Sequence, residues 1–65
     1  MEKREIRELA AILVAEHGCR AAEVAARRRA QYADRPRSEI YQLWSAIAAA
    51  ARQMLQRRAR SERAG

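Results

Sequence analysis

The longest pattern of apolar positions in the chain lies between Ser38 and Arg58. Its members recur with a 4-3-4-3 spacing, and three more apolar residues flank them, which keeps one broad face apolar along the whole stretch. No Gly or Pro interrupts these 21 residues, so the pattern predicts one amphipathic helix about 30 Å long. So wide an apolar face needs a covering surface. We therefore predict an interface on this helix, formed by Ile40, Leu43, Trp44, Ile47, Ala50, Ala51, Met54 and Leu55.

Two shorter helices are predicted before it. One apolar stripe follows the spacing i, i+3, i+4, i+7 and i+11 at Ile6, Leu9, Ala10, Leu13 and His17, and Ile12 and Val14 widen it. This pattern indicates an amphipathic helix over residues 2–17. Gly18 comes next and is expected to end this helix in the left-handed conformation. Residues 20–33 are almost all good helix formers, mainly Ala and Arg, and they predict a second helix with a face of small side chains.

The helical pattern breaks around Pro36, because proline lacks a backbone donor and restricts the residue before it. Ser38 is placed to cap the third helix, which is predicted over residues 38–58. Residues 59–65 lose the apolar spacing and predict a basic, flexible tail. The predicted fold class is therefore all-α: a three-helix, hairpin-type bundle with a long C-terminal helix, in one domain over residues 1–58.

The length of the chain makes such a bundle hard to stabilise alone. A chain of 65 residues buries only about 60% of the surface that it exposes when unfolded. Cys19 is the only cysteine, which excludes an internal disulfide, and we expect it to pack as a small apolar residue. The remaining source of stability is oligomerisation or a larger protein partner, so we expect self-association, as a homodimer, to complete the bundle.

The net charge of +6 arises after residue 17, where eleven Arg outnumber four acidic residues. Such a surface attracts nucleic acid or an acidic protein partner. The densest group, and the candidate binding residues, are Arg27, Arg28, Arg29, Arg35 and Arg37. Three consecutive helical residues span about 200° of the helix circumference, so the group cannot face one groove as a whole, and a solvated face is the alternative interpretation.

The sequence contains no recognisable catalytic constellation. No nucleophile has a His and a third orienting residue arranged with it, and one His with one Cys cannot complete a four-ligand zinc site. We therefore expect no enzymatic activity, no metal, no cofactor and no small-molecule substrate. The apolar runs are too short to span a bilayer, and the N-terminus lacks the layout of a signal peptide, so we expect a cytoplasmic location and no membrane contact.

Two resemblances extend these expectations. The stretch from Leu9 to Leu55 resembles a scattered group of short bacterial helical proteins with the order His-Gly, then Ala and Arg, then Asp, then Trp. The residues that carry the resemblance are His17, Gly18, Arg27, Arg28, Arg29, Ala30, Asp34, Trp44, Ile47 and Leu55. This resemblance implies a small all-helical protein and brings no activity or functional residue with it.

The second resemblance covers Ile6 to Trp44. The segment IRELAAILVAEHG resembles the first helix of tetracycline-repressor-type regulators, and SEIYQLW is similar to the start of their recognition helix. It implies a helix-turn-helix that binds DNA. The segment between the two pieces is longer here than in those regulators and lacks glycine.

Three hypotheses follow. The leading one is a non-enzymatic helical module for protein–protein interaction or oligomerisation, which uses the third helix. The first alternative is a small DNA-binding transcriptional regulator that uses the Arg-rich second helix and loop. The second alternative is an accessory or inhibitor protein that binds an acidic partner.

Overall fold

The computed structural model describes residues 2–64, with side chains through residue 62. Helix α1 covers Lys3–His17, a short 3-10 turn covers Gly18–Arg20, α2 covers Ala21–Ala30 and α3 covers Glu39–Ala64. No strand occurs in residues 2–64, so the predicted all-α fold class is confirmed. The predicted second helix began one residue too early and ended three residues too late.

Gly18 separates α1 from the 3-10 turn. Its φ of 59° is positive, as expected for a glycine at this position, but its ψ of −130° lies outside the left-handed helical region. The Gly18 N–H donates to the Val14 carbonyl and so satisfies one of the last carbonyls of α1. A side chain at this position would meet no atom within 4 Å, so the backbone conformation alone requires glycine.

Helix α2 ends at Ala30 because the hydrogen-bonding pattern tightens there. The N–H groups of Gln31, Tyr32 and Ala33 donate to carbonyls three residues back, at N···O distances of 3.2, 3.0 and 3.2 Å. Bonds of this kind close the last turn of a helix without extending it. The predicted end at residue 33 is wrong for this reason, since composition reports helix propensity but not where the ladder changes.

Ser38 caps α3 as predicted. The Tyr41 N–H donates to Ser38 Oγ at 3.3 Å, and the Ser38 hydroxyl donates to the Arg35 carbonyl at 2.7 Å. One side chain therefore satisfies an amide of the first turn of α3 and also holds the loop that contains Pro36.

The core consists almost entirely of alanine. Helix α3 packs against both α1 and α2, and the fully buried residues at their junction are Ala10, Ala21, Ala25, Ile47, Ala48 and Ala51. Ile47 is the only large side chain among them. Alanines let helices approach closely but bury little apolar area each. Most of the bulky apolar side chains are therefore left at the edges of the bundle or outside it.

Fewer apolar side chains of α1 are buried than the predicted stripe contains. Ile6 and Leu13 pack against the core, whereas Leu9 is 37% exposed and Ile12 is 52% exposed. Cys19, expected to pack as a small apolar residue, is exposed in the 3-10 turn. The stripe prediction was too wide because helical spacing gives the direction of each side chain, while the width of the covered face depends on the neighbouring helices.

Helix α3 is longer than predicted. It continues through Ala64, beyond the predicted end at residue 58, and Gly65 lies outside the described residues. The flexibility expected for residues 59–65 stays a prediction. The added segment contains no helix breaker, and Arg58 and Glu62 form an i, i+4 ion pair with an N···O distance of 3.7 Å. Residues 56–62 are all exposed, so the end of α3 projects beyond the cover of α1 and α2. The longest dimension of the molecule, 43 Å, reflects this helix.

We expect Ile47→Ala to lower the free energy of unfolding by about 2–5 kcal/mol, because it removes the only large side chain of the buried core. The matched control is Ile12→Ala, which removes the same atoms from an exposed position and should change stability by about 0.5 kcal/mol or less. Urea unfolding at a concentration where the chain is monomeric measures both. Equal losses in the two variants would contradict the assignment of the core.

We expect Gly18→Ala to lower the free energy of unfolding by about 1–3 kcal/mol through backbone strain alone, since the added Cβ meets no neighbour. Cys19→Ala, at the adjacent exposed position, serves as the control and should leave the midpoint nearly unchanged. Thermal unfolding followed by circular dichroism tests the difference. A Gly18→Ala midpoint equal to that of the control would show that this turn relaxes to an ordinary conformation.

Candidate interaction surface

A groove lies between the start of α1 and the first turns of α3. Ile6 of α1 lines one side, and Ile40, Leu43 and Ala46 of α3 line the other. Glu39 and Gln42 stand at its rim, and its volume is about 610 Å³. Helix α3 begins at Glu39, so Ile40 lies in its first turn at the groove, where it is 41% exposed.

A ridge on α1 extends the apolar lining of the groove. Ile6, Leu9 and Ile12 follow one another at i+3 steps, which makes each the surface neighbour of the next. Among the side chains of residues 2–62, the three exposed large hydrophobic residues are Leu9, Ile12 and Ile40, and they form one continuous set with the groove. We call this set the apolar surface: Ile6, Leu9, Ile12, Ile40, Leu43 and Ala46.

Carboxylates border the apolar surface. Glu5 lies four residues before Leu9, and Glu16 lies four residues after Ile12, so both are helical neighbours of the ridge. Glu39 stands at the groove, and all three acidic side chains are exposed. We call these three residues the acidic rim. Their sign is opposite to the net charge of +6 of the whole chain, which makes this region electrostatically distinct from the rest of the surface.

The eight residues predicted as an interface on the third helix lie in three different environments. Ile40 and Leu43 lie in the groove, where a partner can reach them. Ile47 and Ala51 are 1% and 0% exposed and belong to the core of the chain itself. The other four are half-buried and pack against that core: Trp44, Ala50, Met54 and Leu55. The N-terminal end of the predicted interface thus lines the groove, while Ala50 and Met54 line smaller depressions elsewhere on the surface.

The contribution of α1 to this surface was missed by sequence reasoning. Ile6 and Leu9 were assigned to the core stripe, and Ile12 was treated as a widening of it. The signal that could have separated them is the series Glu5, Leu9, Ile12 and Glu16, in which two apolar residues have an acidic residue on each side. The steps between successive members are i+4, i+3 and i+4. A buried stripe carries no carboxylates at both ends, because burying a charge without a partner is costly.

The arginines predicted as a binding group lie in different environments. Arg27 is paired with Glu23 at an N···O distance of 3.1 Å, and Arg29 is half-buried, whereas Arg28 is exposed. Arg35 and Arg37 are exposed on the loop between α2 and α3. Their five guanidinium groups are therefore spread around α2 and along the loop.

A different basic cluster is assembled by the fold. Arg7 of α1 and Arg57 of α3 line one small depression, whose floor includes Ala50 and Met54. Lys3 and Arg4 join Arg7 in the adjacent depression, with Ala11, Met54 and, at its edge, Glu8. We call Lys3, Arg4, Arg7 and Arg57 the basic flank. Among the side chains of residues 2–62, ion pairs join Glu23 to Arg27, Glu62 to Arg58 and Glu16 to His17, so none neutralises this flank.

The described residues hold no group of three or more His, Cys, Asp or Glu side chains that could bind a metal ion. None of the described helices combines the length and apolar character that a membrane crossing needs. Comparison with protein-family models, curated proteins and solved structures finds no match to this chain. The two resemblances to small bacterial helical proteins and to tetracycline-repressor-type regulators therefore stay predictions.

Proposed function

We propose that this chain is a non-enzymatic helical interaction module that assembles with a second copy of itself through the apolar surface. The observation that carries this proposal is the position of its large apolar side chains. Leu9, Ile12 and Ile40 are exposed together on one surface, while the core contains a single large residue, Ile47. An apolar surface of this kind marks a site of protein–protein interaction.

The energetics of the small core support association. Burial of an alanine removes little apolar area from water, so five buried alanines and one isoleucine leave a narrow margin over the conformational entropy lost on folding. A stable interface covers about 800 Å² per partner, which is roughly one seventh of this chain's accessible surface of 5372 Å². Covering the apolar surface by a second copy adds large side chains to the buried set and so offsets the thin core.

Charge favours a second copy over an unrelated partner. The acidic rim of Glu5, Glu16 and Glu39 requires a partner that offers both apolar groups and positive charge. The chain itself carries fourteen Lys and Arg residues and a net charge of +6. A second copy therefore supplies both requirements.

The same rim weighs against DNA binding by the start of α3. A recognition helix must approach phosphates, whereas the first turns of α3 present Glu39, Ile40 and Gln42 to solvent. A carboxylate there repels a phosphate backbone. The eight-residue segment 31–38 between α2 and α3 is also longer than the three or four residues of a helix-turn-helix. These observations support protein interaction instead.

We expect the wild-type chain to self-associate with rising concentration and Ile12→Ser/Ile40→Ser to weaken that association at least tenfold, because the double substitution removes two exposed apolar groups from the proposed interface. Sedimentation equilibrium across the micromolar range measures the change. A reductant must be present, since the exposed Cys19 could otherwise link two chains covalently.

The matched control is Ala30→Ser/Ala59→Ser, which places the same residue at one exposed position of α2 and one of α3 that are not helical neighbours of the apolar surface. It should associate like the wild type. A wild-type chain that stays a folded monomer throughout the range would refute the proposed function.

A further inference from the structure

The proposed self-association leaves open how two copies face each other. We propose that the assembly is head-to-tail: the apolar surface and acidic rim of one copy dock onto the basic flank of the next copy. This inference rests on the proposed function and adds to it the identity of the partner surface, formed by Lys3, Arg4, Arg7 and Arg57 around the apolar floor of Ala50 and Met54.

A symmetric contact through the Leu9 and Ile12 ridge of α1 brings like charges together. In a two-fold contact, the same patch of both copies meets itself. An antiparallel pairing of the two α1 helices centred on Leu9 and Ile12 sets Glu5 of each copy against Glu16 of the other, at both ends of the contact. Glu5 and Glu16 are exposed, and no described Lys or Arg is paired with either. Such a pairing repels itself at the rim.

The basic flank carries the positive charges that the apolar surface lacks. Arg7 and Arg57 come from helices 50 positions apart in the sequence, and the fold brings both to one depression without a carboxylate paired to either. Met54 and Ala50 supply apolar contact between them, and methionine adapts its shape readily to a partner side chain. The flank thus offers an apolar centre with four cations and one carboxylate, Glu8, around it, and this net positive charge complements an apolar centre with carboxylates around it.

The two surfaces lie on different sides of α1. Arg7 and Glu16 are nine residues apart on α1, which places them about 180° apart around the helix axis. The helix itself therefore separates the basic flank from the ridge of Leu9 and Ile12. None of the ion pairs among the side chains of residues 2–62 joins the basic flank to the acidic rim. In the head-to-tail arrangement these charges pair between copies, and each copy uses a different face toward each neighbour.

When two different faces bind each other, the first and the last copy of an assembly each keep one face unbound. Such heterologous contacts build rings or open filaments, whereas a two-fold contact stops at a dimer. The head-to-tail arrangement therefore predicts species larger than a dimer at high concentration. It also predicts weaker assembly at higher salt, because exposed charge pairs are screened.

The test uses two variants that each block one face. Ile12→Ser/Ile40→Ser damages the apolar surface, and Arg7→Ser/Arg57→Ser damages the basic flank. Each variant alone should sediment as a monomer at concentrations where the wild type assembles. An equimolar mixture should form a one-to-one complex of the two variants and nothing larger, because only one intact pair of faces remains. Native mass spectrometry identifies this complex, since the two variants differ in mass.

The charge control is Arg28→Ser/Arg52→Ser, which lowers the net charge by the same amount at one exposed position of α2 and one of α3 that are not helical neighbours of the basic flank. It should assemble like the wild type. Circular dichroism of each variant checks that it is helical, and recovery of assembly in the mixture shows independently that both variants are folded.

The outcomes separate the inference from the proposed function. Normal self-association of Arg7→Ser/Arg57→Ser would overturn the head-to-tail arrangement and leave a symmetric contact between apolar surfaces. A mixture of two helical variants that stays monomeric would also overturn it. A wild-type chain that never associates would refute the proposed function itself. If assembly of the wild type is unchanged between about 0.05 M and about 0.5 M salt, the proposed charge pairing between copies is contradicted.

Discussion

The packing of one isoleucine among alanines is the constraint on which this structure depends. Ala10, Ala25 and Ala51 let α1, α2 and α3 come close together around Ile47. The close approach leaves no room for bulkier side chains at the junction, so these lie at its edges or outside it. A junction built this way orders three helices but buries little apolar area. The exposed residues of the apolar surface are thus a consequence of how the core is made.

The distribution of charge around α1 follows from the same arrangement. One side of this helix must face the junction, and its two flanks remain free. The acidic side chains of Glu5 and Glu16 lie on one flank beside Leu9 and Ile12, and Lys3 and Arg7 lie on the other flank. Helix α3 completes both regions, with Ile40 at one and Arg57 at the other. A protein of 65 residues thereby presents two surfaces with charges of opposite sign on either side of one helix.

Local features could be predicted because each depends on residues close together in the chain. Ser38 caps α3 since its hydroxyl oxygen accepts from the Tyr41 N–H in the next turn. Gly18 follows α1 with a positive φ that residues with a side chain rarely adopt. The helical character of all three α segments follows from composition and apolar spacing in the same way. The end of α2 was less predictable, because the change in hydrogen bonding after Ala30 decides it. The extension of α3 beyond residue 58 was missed because apolar spacing stops there while helix-forming residues continue.

The sequence by itself determined the all-helical class, the positions of the two breaks and the presence of more apolar side chains than a short chain can cover. Only the tertiary structure decided which of these side chains are covered. Ile47 and Ile12 both lie in apolar runs of predicted helices, yet one is 1% exposed and the other 52%. The physical reason is that burial depends on how closely neighbouring helices approach. The basic flank has the same origin, since Arg7 and Arg57 become neighbours only when α1 packs on α3.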